Sequence, residues 1–153
     1  MSESLAIRRA KIDDLPAILA MLADDDVTRA RGEADAEVNE AHRAAFAAIE
    51  ADPNQFLALA VEGDGIVGCF QLTFIPGLSR GAVWRGQVES VRVASHARSR
   101  GIGAFMMDWA VAECRRRGCA VVQLTTDKRR SDAHRFYARL GFEASHEGMK
   151  LKL

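Results

Sequence analysis

The chain has 153 residues, 48% of them hydrophobic and 27% charged, with 21 basic and 21 acidic side chains in balance. That length suits a single domain, residues 1–153, with one continuous core and no room for a second, and the balanced charge supplies no overall field to attract nucleic acid or an anionic membrane. No apolar run is long enough to span a bilayer, and Met1-Ser2-Glu3-Ser4 lacks the basic and apolar regions of a signal peptide, so the expectation is a cytoplasmic protein.

Leu5 to Arg9 reads as a first strand. Asp13 is a candidate N-cap for a helix that places Leu15, Ile18, Leu19 and Leu22 on one face, with Pro16 in the first turn where its missing N–H is tolerated. Asp24-Asp25-Asp26 ends that helix, and an acidic irregular stretch, Glu33 to Glu37, precedes a second helix from about Asn39 to Glu50. Phe56 to Val61 and Ile66 to Phe74 read as strands joined through Gly63-Asp64-Gly65, whose Asp-Gly pair suits a tight hairpin. Pro76-Gly77 breaks the second, and a strand from about Ala82 to Val93 completes an antiparallel meander.

The valine-rich end of that strand, Gln87 to Val93, leads into Arg98-Ser99-Arg100-Gly101-Ile102-Gly103. Ile102, Phe105, Met106, Trp109 and Ala110 then recur at helical spacing, and Gly118 stands where a C-cap belongs. A helix therefore begins at the glycines. Its first N–H groups lack intrahelical partners and carry the positive end of the dipole, glycine admits a ligand close to the backbone, and two arginines add charge. That combination suits a phosphate ligand. A dinucleotide fingerprint would need glycine where Met106 stands, and a triphosphate loop would need lysine followed by serine or threonine, which do not follow Gly103. What remains is an Arg-x-x-Gly-x-Gly turn fit for a diphosphate held without metal. Cys119 to Thr125 is a further short apolar strand. Cys69, Cys114 and Cys119 are odd in number and lack zinc spacing, which suits core packing. The four histidines show no metal spacing, and no Gly-x-Ser-x-Gly elbow accompanies any serine.

The Arg-x-x-Gly-x-Gly turn after a strand, followed by Ala133-His134-Arg135-Phe136-Tyr137-Ala138-Arg139-Leu140-Gly141-Phe142, resembles the two signatures of the GNAT superfamily of acetyl-coenzyme A dependent N-acetyltransferases. The likeness is strong from about Gln87 to Leu153 and only in outline before that. It implies a single-domain α/β (α+β) acyl-CoA N-acyltransferase fold, with a mixed, mostly antiparallel sheet of about six to seven strands and about four helices, the last strand following the last helix. It also implies direct transfer of acetyl from acetyl-CoA to a primary amine of a small molecule or peptide, with no metal, and a homodimer as one arrangement, since many relatives pair.

The diphosphate would lie on Arg98, Ser99, Arg100, Gly101, Ile102, Gly103 and Ala104, and the thioester along the backbone of Val91, Arg92 and Val93. Phe136 would flank the cofactor, and Arg130 stands where relatives often carry an asparagine for the pantetheine arm. Tyr137, the one tyrosine of the chain, matches the family's general acid. Glu89 shares strand parity with Val91 and Val93, which aims it at an apolar face where desolvation would raise its pKa, and it is the candidate base, with His96 as the fallback. The acids at 24–26, with Glu33, Asp35 and Glu37, either solubilise a loop or draw a cationic acceptor. A non-catalytic acyl-CoA-binding regulatory module on the same fold is the alternative reading.

Overall fold

A computed structural model describes residues 3–32 and 37–153. Its centre is one sheet in sequence order: β1 (Leu5–Arg9), β2 (Gln55–Glu62), β3 (Gly65–Ile75), β4 (Trp84–Val93) and β5 (Cys119–Leu124). The first four strands pair antiparallel, and β5 lies parallel to β4. Around the sheet run α1 (Leu15–Ala23), α2 (Asp26–Ala30), α3 (Glu40–Ala51), the single turn α4 (Ser79–Ala82), α5 (Ile102–Arg116) and α6 (Ser131–Arg139).

Each boundary has a local cause. Asn39 accepts from the His42 N–H and caps α3, Pro16 sits in the first turn of α1, and Gly118 at φ 79 follows α5 in the left-handed conformation. The parallel β4–β5 pair needs a crossover, and α5 supplies it. Helix α5 covers one face of the sheet so closely that two strand positions require glycine. A Cβ on Gly68 would lie 2.7 Å from Met106 Sδ, and one on Gly86 would lie 2.2 Å from Cys114 Sγ. Phe70, Leu72 and Val88 pack there with Met106, Met107, Ala110 and Cys114. Helices α1 and α3 cover part of the opposite face with Leu15, Ile18 and Phe46.

Strand β4 is not regular. Its pairing with β3 runs Gln71↔Glu89 and then Cys69↔Arg92, so Ser90 and Val91 stand opposite Phe70 alone. This is a β-bulge, with Ser90 at φ 54. A bulge reverses the alternation of side chains. Glu89 therefore lies on the α1/α3 face together with Arg92, whereas Val91 and Val93 lie on the α5 face. The parity that joined Glu89 to the two valines is corrected on this point.

The sheet has five strands among the described residues, fewer than the six to seven expected, and the helices number six rather than about four. Residues 143–153 carry no strand. Met149, Leu151 and Leu153 alternate with lysines, yet they are exposed, and among the described residues they find no ladder and the outer edge of β5 has no partner. The two additional helices are short: α2, where Asp25 ends one helix by capping the next, and α4, whose Arg80 and Gly81 are left-handed. Of the acidic stretch, Glu33 and Asp35 lie outside the described residues. No helix among the described residues is long and apolar enough to cross a membrane.

Candidate active site

The parallel pairing of β4 with β5 stops at Val88↔Leu124, so the bulged end of β4 runs on with one edge unpaired. The Ala94 N–H donates to Val67 O at 2.9 Å on the β3 side, and alternation turns the Val93 N–H, with that of Val91, toward the gap left by β5. Two backbone donors thus face an opening between two strands of one sheet. A thioester carbonyl lying in that gap would meet donors already fixed in place.

The gap leads to the start of α5. Gly101 is the N-cap residue at φ 78, no side chain caps the helix, and the Phe105 N–H is the first to bond back, to Gly101 O at 3.0 Å. The N–H groups of Ile102, Gly103 and Ala104 precede that bond and remain available to a ligand. A Cβ on Gly101 would meet nothing within 4 Å, so the space above the loop is open. Gly103 is needed for a different reason, since its Cβ would stand 3.2 Å from the Phe136 ring. Phe136 therefore packs over the loop and joins α6 to α5. An uncapped helix end, open space and left-handed backbone at Ser99 and Gly101 fit the diphosphate of coenzyme A.

The arginines of the loop are already engaged. Arg100 Nη2 donates to both carboxylate oxygens of Glu62 at 2.7 and 2.9 Å, and Arg98 reaches Val93 O, Asp24 O and the Asp24 carboxylate at 3.2 to 3.4 Å. Arg130 likewise donates twice to Asp25 at 2.6 Å, a contact that ties the N-cap of α6 to the N-cap of α2. Asp25 also accepts from Thr28 N and Oγ1. Burial alone would raise its carboxyl, but the hydrogen bonds from Arg130 and Thr28, with the charge of Arg92, outweigh that and hold it well below the usual carboxylate range. Arg31 pairs with Asp127 in the same corner. The Asp24–Asp26 run is thus an ion-pair partner for Arg29, Arg98 and Arg130 rather than a free acidic patch.

Tyr137 lies between the Phe136 and Phe142 rings, with centroids 5.1 and 5.8 Å away. Burial raises the pKa of its phenol, and the nearby charges of Arg92 and Arg130 pull the other way. Glu89 is exposed and accepts one hydrogen bond from Gln87 at 3.4 Å, so the desolvated setting expected for it is absent. The bulge is the reason. His96 is exposed in a single helical turn between β4 and the loop.

Two features escaped sequence reasoning. A row of amides with one hydroxyl crosses the face that carries Glu89: Gln71 and Thr73 both donate to Gln55 at 2.9 Å, and Gln123 donates to Gln87 at 2.7 Å. Its signal was the alternation of Gln71 and Thr73 with apolar Phe70, Leu72 and Phe74. Beside this row lies a cavity of about 150 Å3 beneath α1 and α3, lined by His42, Cys69, Gln71 and Ser90 and by apolar side chains such as Leu19 and Phe46. The Cys69 thiol is pushed up to about 12 by burial, against the charge of Arg92, and is no nucleophile at neutral pH.

A strand that parts from its parallel neighbour, an uncapped helix start after Arg-x-x-Gly-x-Gly, and a tyrosine within reach of the Arg92 charge on β4 agree with the comparisons. The model of the acetyltransferase (GNAT) family matches residues 18–142. The chain is 32% identical over 140 residues to an aminoalkylphosphonate N-acetyltransferase of Salmonella typhimurium, which covers 92% of this chain and 86% of that one. Among solved structures, one described as a transcriptional regulator from Bacillus halodurans superposes with a TM-score of 0.92 at 43% identity, covering 98% of this chain and 100% of that one. A putative acetyltransferase from Agrobacterium tumefaciens gives 0.83 at 25% identity, over 97% and 99%. The chain belongs to the GNAT family and is an acetyl-CoA dependent N-acetyltransferase.

Proposed function

We propose that the enzyme moves acetyl from acetyl-CoA directly to the primary amine of a small acceptor that also carries an anionic group, an aminoalkylphosphonate or a compound like it. The observation that supports the transfer reading is the unpaired edge of β4, with the uncapped start of α5 at one end and the Tyr137 phenol within reach of the Arg92 charge. The acceptor class is carried over from the name of the Salmonella relative.

Acetyl-CoA supplies an activated acyl group, and the chain supplies position and proton transfer. The N–H groups of Ile102, Gly103 and Ala104 hold the diphosphate, and those of Val91 and Val93 face the thioester oxygen, where a fixed donor contributes roughly 3 kcal/mol to the transition state. An alkylamine with a pKa near ~10.4 must lose a proton before it attacks. Glu89, open to water on the acceptor face, receives that proton directly or through a water. Tyr137 keeps its own proton because burial raises its pKa, and donates to the departing thiolate, whose conjugate acid lies near ~8.5.

Thiol release from acetyl-CoA across a panel of amines tests the proposal. Release above background for at least one amine is expected, reduced in Tyr137→Phe and Glu89→Gln. Binding of acetyl-CoA with no release from any amine would favour a regulatory module on the same fold, a reading to which the description of the Bacillus halodurans relative lends support.

A further inference from the structure

Arg92 is an arginine in an unusual position. The bulge at Ser90 turns it away from the α5 core and onto the face that holds Cys69 and Glu89, and its cross-strand partner Cys69 lines the cavity beneath α1 and α3. Its side chain is only 20% exposed. A guanidinium has five N–H donors in a fixed fork. Here one nitrogen donates to Val91 O at 2.9 Å, the nearest Asp25 oxygen is 3.7 Å away, and Nε is buried with no hydrogen-bond partner among the described residues. Buried donors are nearly always satisfied, so this one stands out.

A second guanidinium stands close by. Arg130 shares the same carboxylate, Asp25, and the two arginines repel each other electrostatically. Two cations around one carboxylate leave a net charge of +1, held on an α2 cap, an α6 cap and the bulge of β4. Such a site has room in its charge balance for a second anion, and the Arg92 Nη2 group, 3.7 Å from the nearest Asp25 oxygen, is left to bind it. The acceptor face, with its cavity and its row of amides, is where that anion would arrive.

We propose that Arg92 and Arg130, oriented by Asp25 between them, hold the anionic group of the acceptor and select tetrahedral oxyanions such as phosphonate. This rests on the acceptor reading given above. Phosphonate oxygens can take the Nη2 group of Arg92, which is 3.7 Å from the nearest Asp25 oxygen, together with the remaining N–H donors of Arg130. The amine, one or two carbons away, is left at the Glu89 side of the gap. A carboxylate offers one oxygen fewer and less negative charge, so the same site ranks aminoalkylphosphonates above amino acids of equal length.

The test is the ratio of kcat/KM for an aminoalkylphosphonate to that for the plain alkylamine of equal chain length. Wild type should favour the phosphonate, and Arg92→Gln should lower the ratio about 30-fold, the scale of a lost charged hydrogen bond, with Arg92→Lys between. An unchanged ratio in a folded Arg92→Gln overturns the proposal. In case the variant does not fold, methylphosphonate is added to wild type and should compete with the acceptor amine; competition with acetyl-CoA instead, or none, overturns the proposal. If wild type releases thiol with plain amines but shows no preference for the phosphonate, the arginine site fails and acetyl transfer stands. If no amine gives release, the transfer reading itself fails.

Discussion

Asp25 joins the helix caps to the candidate site, and its removal should be costly. In Asp25→Ala the Thr28 N–H loses its cap, worth about 1 kcal/mol. The two charge-assisted bonds from Arg130 go as well, worth about 2 kcal/mol for a pair that is mostly but not wholly buried. Arg92 and Arg130 are then left as neighbouring cations without their shared anion. The expected loss is about 3 kcal/mol, a fall of roughly 6–12 °C in Tm for a chain of this size. The control is Asp26→Ala, whose side chain is 97% exposed and whose pair with Arg29 lies on the surface, so a loss of under about 0.5 kcal/mol is expected. The Asp25 carboxyl is held below its usual range, so its contribution is fully present above an unfolded pKa near ~3.9 and fades as pH falls toward the folded value. Urea titrations at pH 7, 5 and 3 should therefore show the gap between wild type and Asp25→Ala narrowing at the acid end. Equal stability of the two aspartate variants at pH 7, or a gap that widens in acid, would refute the reasoning.

Gly101→Ala enters open space but a left-handed backbone, so it should cost about 1 kcal/mol in stability. It should also bind coenzyme A within a few fold of wild type by calorimetry, whereas Gly101→Glu should fold and bind none. Tyr137→Phe should lower kcat about 100-fold while KM for acetyl-CoA stays within a few fold in steady-state kinetics. Gly86→Val would drive a branched side chain into Cys114 and should cost more than about 3 kcal/mol in a denaturant titration, with Gly68→Val similar against Met106. Cys69 should resist a thiol reagent in the native state at pH 8 and react on unfolding, because burial holds it near 12.

The first strand, the two long N-terminal helices, the meander and the glycine turn were legible because each obeys a local rule: period, cap or turn residue. Leu5–Arg9 came out residue for residue, and Asn39 marked its helix start as a cap should. What escaped was set by distant partners. Asp24-Asp25-Asp26 reads as a helix end from its own neighbourhood, and only the fold brings Arg98 and Arg130 against it, 74 and 105 residues away. Met149 to Leu153 has the alternation of a strand, but alternation states a preference and a ladder requires a neighbour. The face expected for Glu89 failed on a single torsion. Nothing in Gln-Val-Glu-Ser-Val-Arg-Val marks Ser90 as the residue that takes a positive φ, and the face of every side chain after it depends on that one angle.

The bulge also sets how β4 can tolerate change. The strand carries one residue more than β3 does across from it, so deleting Ser90 would bring Val91 opposite Phe70 and leave Arg92 across from Cys69 and Val93 across from Gly68. A deletion elsewhere on the strand has no spare residue to absorb it and would turn every side chain beyond it to the other face. The bulge is thus the one place where β4 can lose a residue and keep its core against α5. What the loss of Ser90 would remove is the positive φ and the local bend that part this end of the strand from its neighbour.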